Sequence, residues 1–254
     1  MSASFPKTLV CGHRGACGYA PENTFAAFQK ALDLGASWIE FDVQLSVDGV
    51  PIILHDDTLV RTSDKGGSRR PTELTLAELK ELDAGAWFAH EYKGEKIPTL
   101  DEVLKEFGPK LGLNIEIKSK PGFEADNKIE EKIAEAVKRF DLYETVVVSS
   151  FDPFRLAALH AYDPLIPIGA LYTGRAQDYP PDFDAFNLPE ITGAKALHPH
   201  FKVIDAAYVE KTRELGLAIN TWTVNEPKDM QRLVGLGINM IITNYPDRLK
   251  AIVG

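Results

Sequence analysis

The sequence predicts an α/β fold, a closed (β/α)8 TIM barrel with a small insertion after the second strand. Three observations lead there. Eight apolar runs of strand length alternate with helical patterns, and strand–helix alternation argues for a parallel sheet. The chain has 254 residues, and α/β barrels routinely fill about 250 as one unit. One interval between strands is more than twice as long as any other, which leaves room for an insertion.

The strands are expected to begin near Lys7, Ser37, Leu111, Thr145, Leu165, Ala194, Leu217 and Ile238. Helices are expected over Asn23–Leu34, Thr99–Phe107, Phe123–Phe140, Asp205–Leu215 and Glu226–Leu236. The first shows the pattern: Phe25, Phe28, Ala31 and Leu32 make one stripe, Asn23 or Thr24 caps its start, and Gly35 closes it. The long interval holds Pro51–Leu54, read as a continuation of the second strand, and then a segment from Asp57 to about Lys96. That segment is rich in Thr, Gly and charge and reads as a mostly polar excursion (57–96) from a single domain spanning 1–254.

Composition narrows the function. With 44% hydrophobic residues the chain is not disordered. Lys and Arg number 28 against 37 Asp and Glu, a net charge of −9. Binding nucleic acid by neutralising phosphates would start with the wrong sign. An anionic ligand must then be met by a local positive group or a bound cation. No apolar run approaches the 18 or so residues of a membrane span, and the start lacks a signal-peptide core. Two cysteines, Cys11 and Cys17, make no disulfide scaffold. A soluble, cytoplasmic monomer or homodimer is expected, with no nucleic-acid partner and no membrane insertion.

The second strand carries the sharpest signal. Ile39, Phe41, Val43 and Leu45 share one face, and Glu40, Asp42 and Gln44 share the other. An edge strand with a wet face would explain that alternation, but a closed parallel barrel has no wet face. Carboxylates pointing inward are costly unless a cation or basic partner compensates them. The third strand repeats the pattern with Asn114, Glu116 and Lys118. Glu40, Asp42 and Glu116 can therefore converge as an all-oxygen site suited to Mg²⁺ or Ca²⁺, the alternative being structural ion pairs. His13-Arg14-Gly15 follows the first strand, and His55-Asp56 ends the Pro51–Leu54 run. Each histidine alone reads more readily as structural. Together they sit where apolar strands stop, on the rim where α/β barrels collect catalytic groups. Two imidazoles, an arginine, a lysine and a metal suit phosphodiester cleavage.

These residues fall in longer motifs: His13-Arg-Gly-Ala-Cys-Gly-Tyr-Ala-Pro-Glu-Asn-Thr24, Ile39-Glu-Phe-Asp42, Val47-Asp-Gly-Val50 and His55-Asp-Asp-Thr58. Arg61-Thr62, Ile97-Pro-Thr-Leu100, Ile115-Glu-Ile-Lys118, Ser150-Phe151, Thr221-Trp-Thr-Val-Asn225 and Ile242-Thr-Asn-Tyr-Pro-Asp247 continue the series. In this order, across essentially the whole chain, they resemble the glycerophosphodiester phosphodiesterase family, in its bacterial, cytoplasmic type. The resemblance implies a (β/α)8 barrel that hydrolyses glycerophosphodiesters to glycerol 3-phosphate and an alcohol, in glycerol and lipid metabolism. It implies His13 and His55 as the acid/base pair, Glu40, Asp42 and Glu116 as ligands of one divalent cation, and Arg14 and Lys118 as phosphate contacts. Trp222 is expected either against the glycerol carbons or as a buried barrel residue, and Phe151 likewise. Glu22 is expected at most behind the site. Family members often show Asp where Asn244 stands, a position not expected to be catalytic. His198 and His200, flanking Pro199, are expected at the surface, the alternative being that one of them lines the mouth.

Other functions fit less well. Lysophospholipase D action would call for an apolar rim, and the excursion offers only a few aromatics such as Trp87, Phe88 and Tyr92. A non-catalytic glycerophosphate-binding protein should have lost a histidine or a carboxylate, and none is missing. A sugar-phosphate isomerase barrel needs no carboxylate trio on two strands.

Overall fold

The computed structural model describes residues 7–118 and 128–254. The start of the helix expected from Phe123 lies outside the described residues. The strands are β1 (Leu9–His13), β2 (Trp38–Leu45), β3 (Pro51–Ile53), β4 (Gly112–Ile117), β5 (Val146–Ser150), β6 (Ile168–Tyr172), β7 (Ala196–Pro199), β8 (Ala218–Thr221) and β9 (Met240–Thr243). Eight of them run parallel in the order β1-β9-β8-β7-β6-β5-β4-β2, and pairing of β1 with β2 closes the ring. The structure is the (β/α)8 barrel that the alternation predicts, each strand starting within a few residues of its expected place.

Helices α1 (Phe25–Asp33), α2 (Leu76–Glu81), α3 (Leu100–Phe107), α4 (Ile129–Phe140), α5 (Pro153–Tyr162), α6 (Leu188–Thr192), α7 (Ala206–Glu214), α8 (Pro227–Gly235) and α9 (Pro246–Val253) follow. Their starts are written in side chains. Thr24 accepts from Ala27 N on α1 and Asp205 from Tyr208 N on α7, while Thr99 and Glu102 form a capping box on α3. The apolar face of β2 packs outward on this shell. Phe41 meets Phe28 of α1 at 5.7 Å, and Phe28 meets Phe107 of α3 at 5.6 Å. Burying each such ring contributes about 1.5–3 kcal/mol. No helix among the described residues is long and apolar enough to cross a membrane.

The barrel interior is filled from below. Cys11, Met240 and Ile242 pack together with Trp38 and Trp222 against them. The Trp38 indole lies across Gly112, where a Cβ would come within 2.2 Å of the ring. Gly169 makes the same room for His198, whose Nε2 would be 2.1 Å from an added Cβ. His198 is fully buried, which corrects its expected surface position. A His-Pro-His run has no apolar period, so only the neighbouring strand reveals that it points inward.

Pro51–Leu54 does not extend β2. Residues Pro51–Ile53 form β3, antiparallel to β2, with Val43 beside Ile53 and Leu45 beside Pro51. The chain reverses at Asp48-Gly49: Gly49 has φ +74°, Ser46 N donates to Val50 O at 3.0 Å, and Ser46 Oγ donates to Asp48 Oδ1 at 2.6 Å. The hairpin returns His55 to the rim above β2. Gln44 Nε2 fastens it there by donating to the carbonyls of Leu54 and Asp56 at 2.9 and 3.0 Å.

The excursion is less polar than its composition suggests. Leu59, Leu74, Leu79, Leu82 and Ala84 pack with Ile52, Leu54 and Ile97 into a second apolar cluster. Its leucines are spaced by turns and one short helix, so no periodic stripe announces them.

Candidate active site

Strand register assembles the site. β1 sets His13 beside Glu40, and β2 against β4 sets Glu40 beside Asn114 and Asp42 beside Glu116. Neighbours in register point to one face of a sheet, so all of these point into the barrel. They meet at the end where the strands finish. A cavity of about 160 Å³ opens there, lined by His13, Arg14, Glu40, His55, Glu116 and Lys118 on one side. Phe151, Leu171, Trp222, Thr223 and Ile242 line the other, with Asn114 and Ser149 also in its wall. Asp42 stands behind the lining, fully buried. Every site residue expected from the sequence is thus brought to one place.

Carboxylate oxygens of Glu40, Asp42 and Glu116 lie within 4.8 Å of one another. Two cations balance them in part. Lys118 Nζ donates to Glu116 Oε1 at 2.8 Å and stands 3.4 Å from Asp42 Oδ1. Arg14 Nε stands 3.2 Å from Asp42 Oδ2, which also accepts from Asn23 Nδ2 at 2.9 Å. Burial would raise the Asp42 carboxyl, but Arg14 and then Lys118 outweigh it and hold it well below its ordinary value. Glu40 moves the other way, pushed up by burial and then by the Asp42 and Glu116 charges. Burial also raises Glu116, although Lys118 opposes it. Like charges crowded out of water favour a proton or a cation.

A divalent cation fits this donor set. All three groups offer hard oxygen ligands, as Mg²⁺ and Ca²⁺ prefer. Asp42 Oδ1 is buried and makes no hydrogen bond, facing only the Lys118 ammonium at 3.4 Å, and a buried oxygen whose hydrogen bonds go unmade is costly. Among the described residues the group that could hold a metal is this all-oxygen trio, which suits a hard cation.

Both histidines have Nδ1 engaged. His13 Nδ1 lies 2.7 Å from Asn244 Oδ1, and its Nε2 stands 4.0 Å from Glu40 Oε2. Burial, aided by Arg14, lowers its imidazole to about 4. His55 Nδ1 lies 2.7 Å from Asp56 Oδ1. Arg14 has φ +50°, a left-handed conformation rare for a side chain with Cβ. Its backbone is held there, with Arg14 N donating to Glu40 Oε2 at 2.9 Å and Arg14 O accepting from Asn23 N at 3.1 Å. Such strain persists where surrounding structure over-determines it, often at functional sites.

Several contacts add to those expected from the sequence. Asn244 touches His13 directly despite being set aside. Glu22 accepts from Arg14 Nη1 at 2.8 Å and from both terminal nitrogens of Arg61. The Glu-Asn pair after Pro21 is the one sequence signal for Glu22 and Asn23. On the opposite wall Phe151 meets Trp222 edge-on at 5.3 Å, and Trp222 Nε1 donates to His198 O at 2.7 Å. His200 is partly exposed, edge-on to Trp222 at 5.2 Å.

A polar, convergent site on the C-terminal rim of a (β/α)8 barrel defines an enzyme of the barrel class. Known proteins narrow the class. Residues 13–248 match the model of the glycerophosphoryl diester phosphodiesterase family. A glycerophosphodiester phosphodiesterase of Caldanaerobacter subterraneus subsp. tengcongensis is 39% identical over 96% of both chains. One from Bacillus subtilis is 34% identical over 95% of this chain and 85% of the relative. Among solved structures, an Oleispira antarctica phosphodiesterase in complex with the product sn-glycerol-3-phosphate has a TM-score of 0.81 at 33% identity, covering 98% of this chain and 97% of that one. The Agrobacterium tumefaciens glycerophosphodiester phosphodiesterase has a TM-score of 0.82 at 28% identity, covering 96% and 99%. The chain belongs to the glycerophosphoryl diester phosphodiesterase family. It is an enzyme, a phosphoric diester hydrolase.

Proposed function

We propose that this enzyme hydrolyses glycerophosphodiesters to glycerol 3-phosphate and an alcohol, with His13 and His55 as acid/base pair and one divalent cation on Glu40, Asp42 and Glu116. The observation that carries this reading is a cluster of three carboxylates, two of which (Glu40 and Glu116) line one cavity with His13 and His55 while Asp42 stands directly behind. The product named in the Oleispira structure supports the choice of substrate.

When bound, Mg²⁺ or Ca²⁺ supplies positive charge to non-bridging phosphate oxygens. Arg14 and Lys118 meet the same anion from the cavity wall. His13 and His55 have Nδ1 committed to an acceptor, which leaves Nε2 of each to exchange protons. One takes the proton of the attacking oxygen and the other returns a proton to the departing one. Phe151 and Trp222 offer apolar surface to substrate carbons. The free thiols of Cys11 and Cys17 fit a reducing, cytoplasmic setting. The excursion is part of the same functional unit, shaping access to the barrel mouth.

One observation favours lysophospholipase D action as a second reading: Phe151 and Phe154, after β5, are 38% and 80% exposed. A turnover screen with Mg²⁺ or Ca²⁺ decides. Glycerophosphocholine, glycerophosphoethanolamine, glycerophosphoglycerol and lysophosphatidylcholine are supplied, and glycerol 3-phosphate and free alcohol are quantified. Release of glycerol 3-phosphate from any of the first three supports the primary reading. Cleavage of lysophosphatidylcholine alone selects the second, and no cleavage overturns both.

A further inference from the structure

Arg61 connects the excursion to the catalytic arrangement. It grips two carboxylates at once. Its Nε and Nη2 donate to Asp56 Oδ2 and Oδ1 at 2.7 and 2.9 Å. Its Nη1 and Nη2 donate to Glu22 Oε2 and Oε1 at 2.6 and 2.7 Å. Each grip is bidentate, the geometry that a planar guanidinium makes and an ammonium cannot. The Trp87 ring supports it, with the Arg61 guanidinium carbon 5.9 Å from the ring centroid.

Both carboxylates then reach inward. Asp56 Oδ1 accepts from Nδ1 of His55 at 2.7 Å. Glu22 Oε1 accepts from Nη1 of Arg14 at 2.8 Å, and Arg14 stands against Asp42. We propose that Arg61 is a positioning residue: it locks Asp56 onto His55 and Glu22 onto Arg14, so that one side chain of the excursion fixes both a proton-transfer group and a phosphate-binding group. This rests on the two-histidine reading above for what His55 does.

Arg61 restricts the rotation of the two carboxylates it holds. Asp56 is partly buried, so without Arg61 its carboxylate would turn toward water or pair elsewhere. The His55 ring would then lose the acceptor that sets its tautomer and its plane. Misplacing a reacting group by about 1 Å can cost on the order of 100-fold in rate. A point charge at position 61 does not restore the arrangement, because the two carboxylates need four donated hydrogen bonds from one plane.

The test compares Arg61→Ala, Arg61→Lys, Asp56→Asn and the Arg61→Ala/Asp56→Asn double variant. Arg61 is 43% exposed, so the fold should survive, as circular dichroism checks. Arg61→Ala should lower kcat about 10–100-fold, Arg61→Lys should rescue little, and the double variant should be no worse than the poorer single one. Rescue by lysine would reduce Arg61 to a charge, and multiplicative losses would show that it does not act through Asp56. Either result overturns the proposal, as does a folded Arg61→Ala with kcat near wild type. An independent readout is the His55 Nδ1 proton in nuclear magnetic resonance spectra, protected in wild type and lost to exchange in Arg61→Ala. It stays informative if the wild-type chain turns over no glycerophosphodiester, which would overturn the functional reading alone; persistence of that proton in the variant would overturn the role of Arg61.

Discussion

Asn244 Oδ1 lies 2.7 Å from Nδ1 of His13, and this contact decides which nitrogen of the ring is free. An amide oxygen only accepts, so Nδ1 carries the proton and Nε2 offers its lone pair to the cavity. Asn244 is itself held: Asn225 Oδ1 accepts from its backbone N at 3.0 Å, and Gly18 N donates to its carbonyl at 3.1 Å.

Asn244→Ala should therefore lower kcat by on the order of 10–100-fold with a smaller change in KM, since orientation is lost and binding groups are not. Asn244→Asp keeps an oxygen acceptor at the same place and should stay close to wild type. Steady-state kinetics on both variants check this. Equal losses in the two would show that the acceptor is not what matters.

His13→Ala and His55→Ala should each reduce kcat by about 10²–10⁴, the range of a general acid or base. Single-turnover rates alongside circular dichroism separate chemistry from folding. A variant that keeps its rate removes that histidine from the pair.

His198 should make the fold acid-sensitive. It is fully buried, Asn220 Nδ2 lies 2.8 Å from its Nε2, and burial lowers its imidazole from 6.5 to about 3. Above pH 6.5 both folded and unfolded states keep it neutral, so it takes nothing from stability there. As pH falls from 6.5 toward 3, the unfolded chain binds a proton that the folded chain refuses, and stability declines by up to about 1.4 kcal/mol per pH unit. His198→Gln should flatten the pH dependence of the unfolding free energy by that slope in urea titrations between pH 6 and 4. An unchanged slope would contradict the assignment.

Residues that repeat along a strand are legible in the sequence. The alternation of Ile39, Phe41 and Val43 with Glu40 and Asp42 carries both the barrel wall and the carboxylates, because side chains on a strand alternate by covalent geometry. The position of His13 at the end of β1 follows from the apolar run before it, whereas His55 comes after a separate antiparallel strand and not after a continuation of β2. What stays hidden is contact between distant stretches of chain. Asn244 is 231 residues from His13, and Arg61 is 39 from Glu22; no local period joins either pair. The hairpin that returns His55 rests on Asp48-Gly49, a turn signal that the apolar run Pro51–Leu54 masks.

On the proposed function, the carboxylate trio serves phosphodiester cleavage through one hard divalent cation. Its most direct test is the initial rate of glycerol 3-phosphate release from glycerophosphodiesters, measured in thoroughly chelated protein and again after adding Mg²⁺ or Ca²⁺. The rate should fall to background on chelation and return with one of these ions. Asp42→Asn should need more of the ion for half-maximal activity, because one anionic oxygen of the ligand set is lost. Full activity in the demetallated protein would contradict the account.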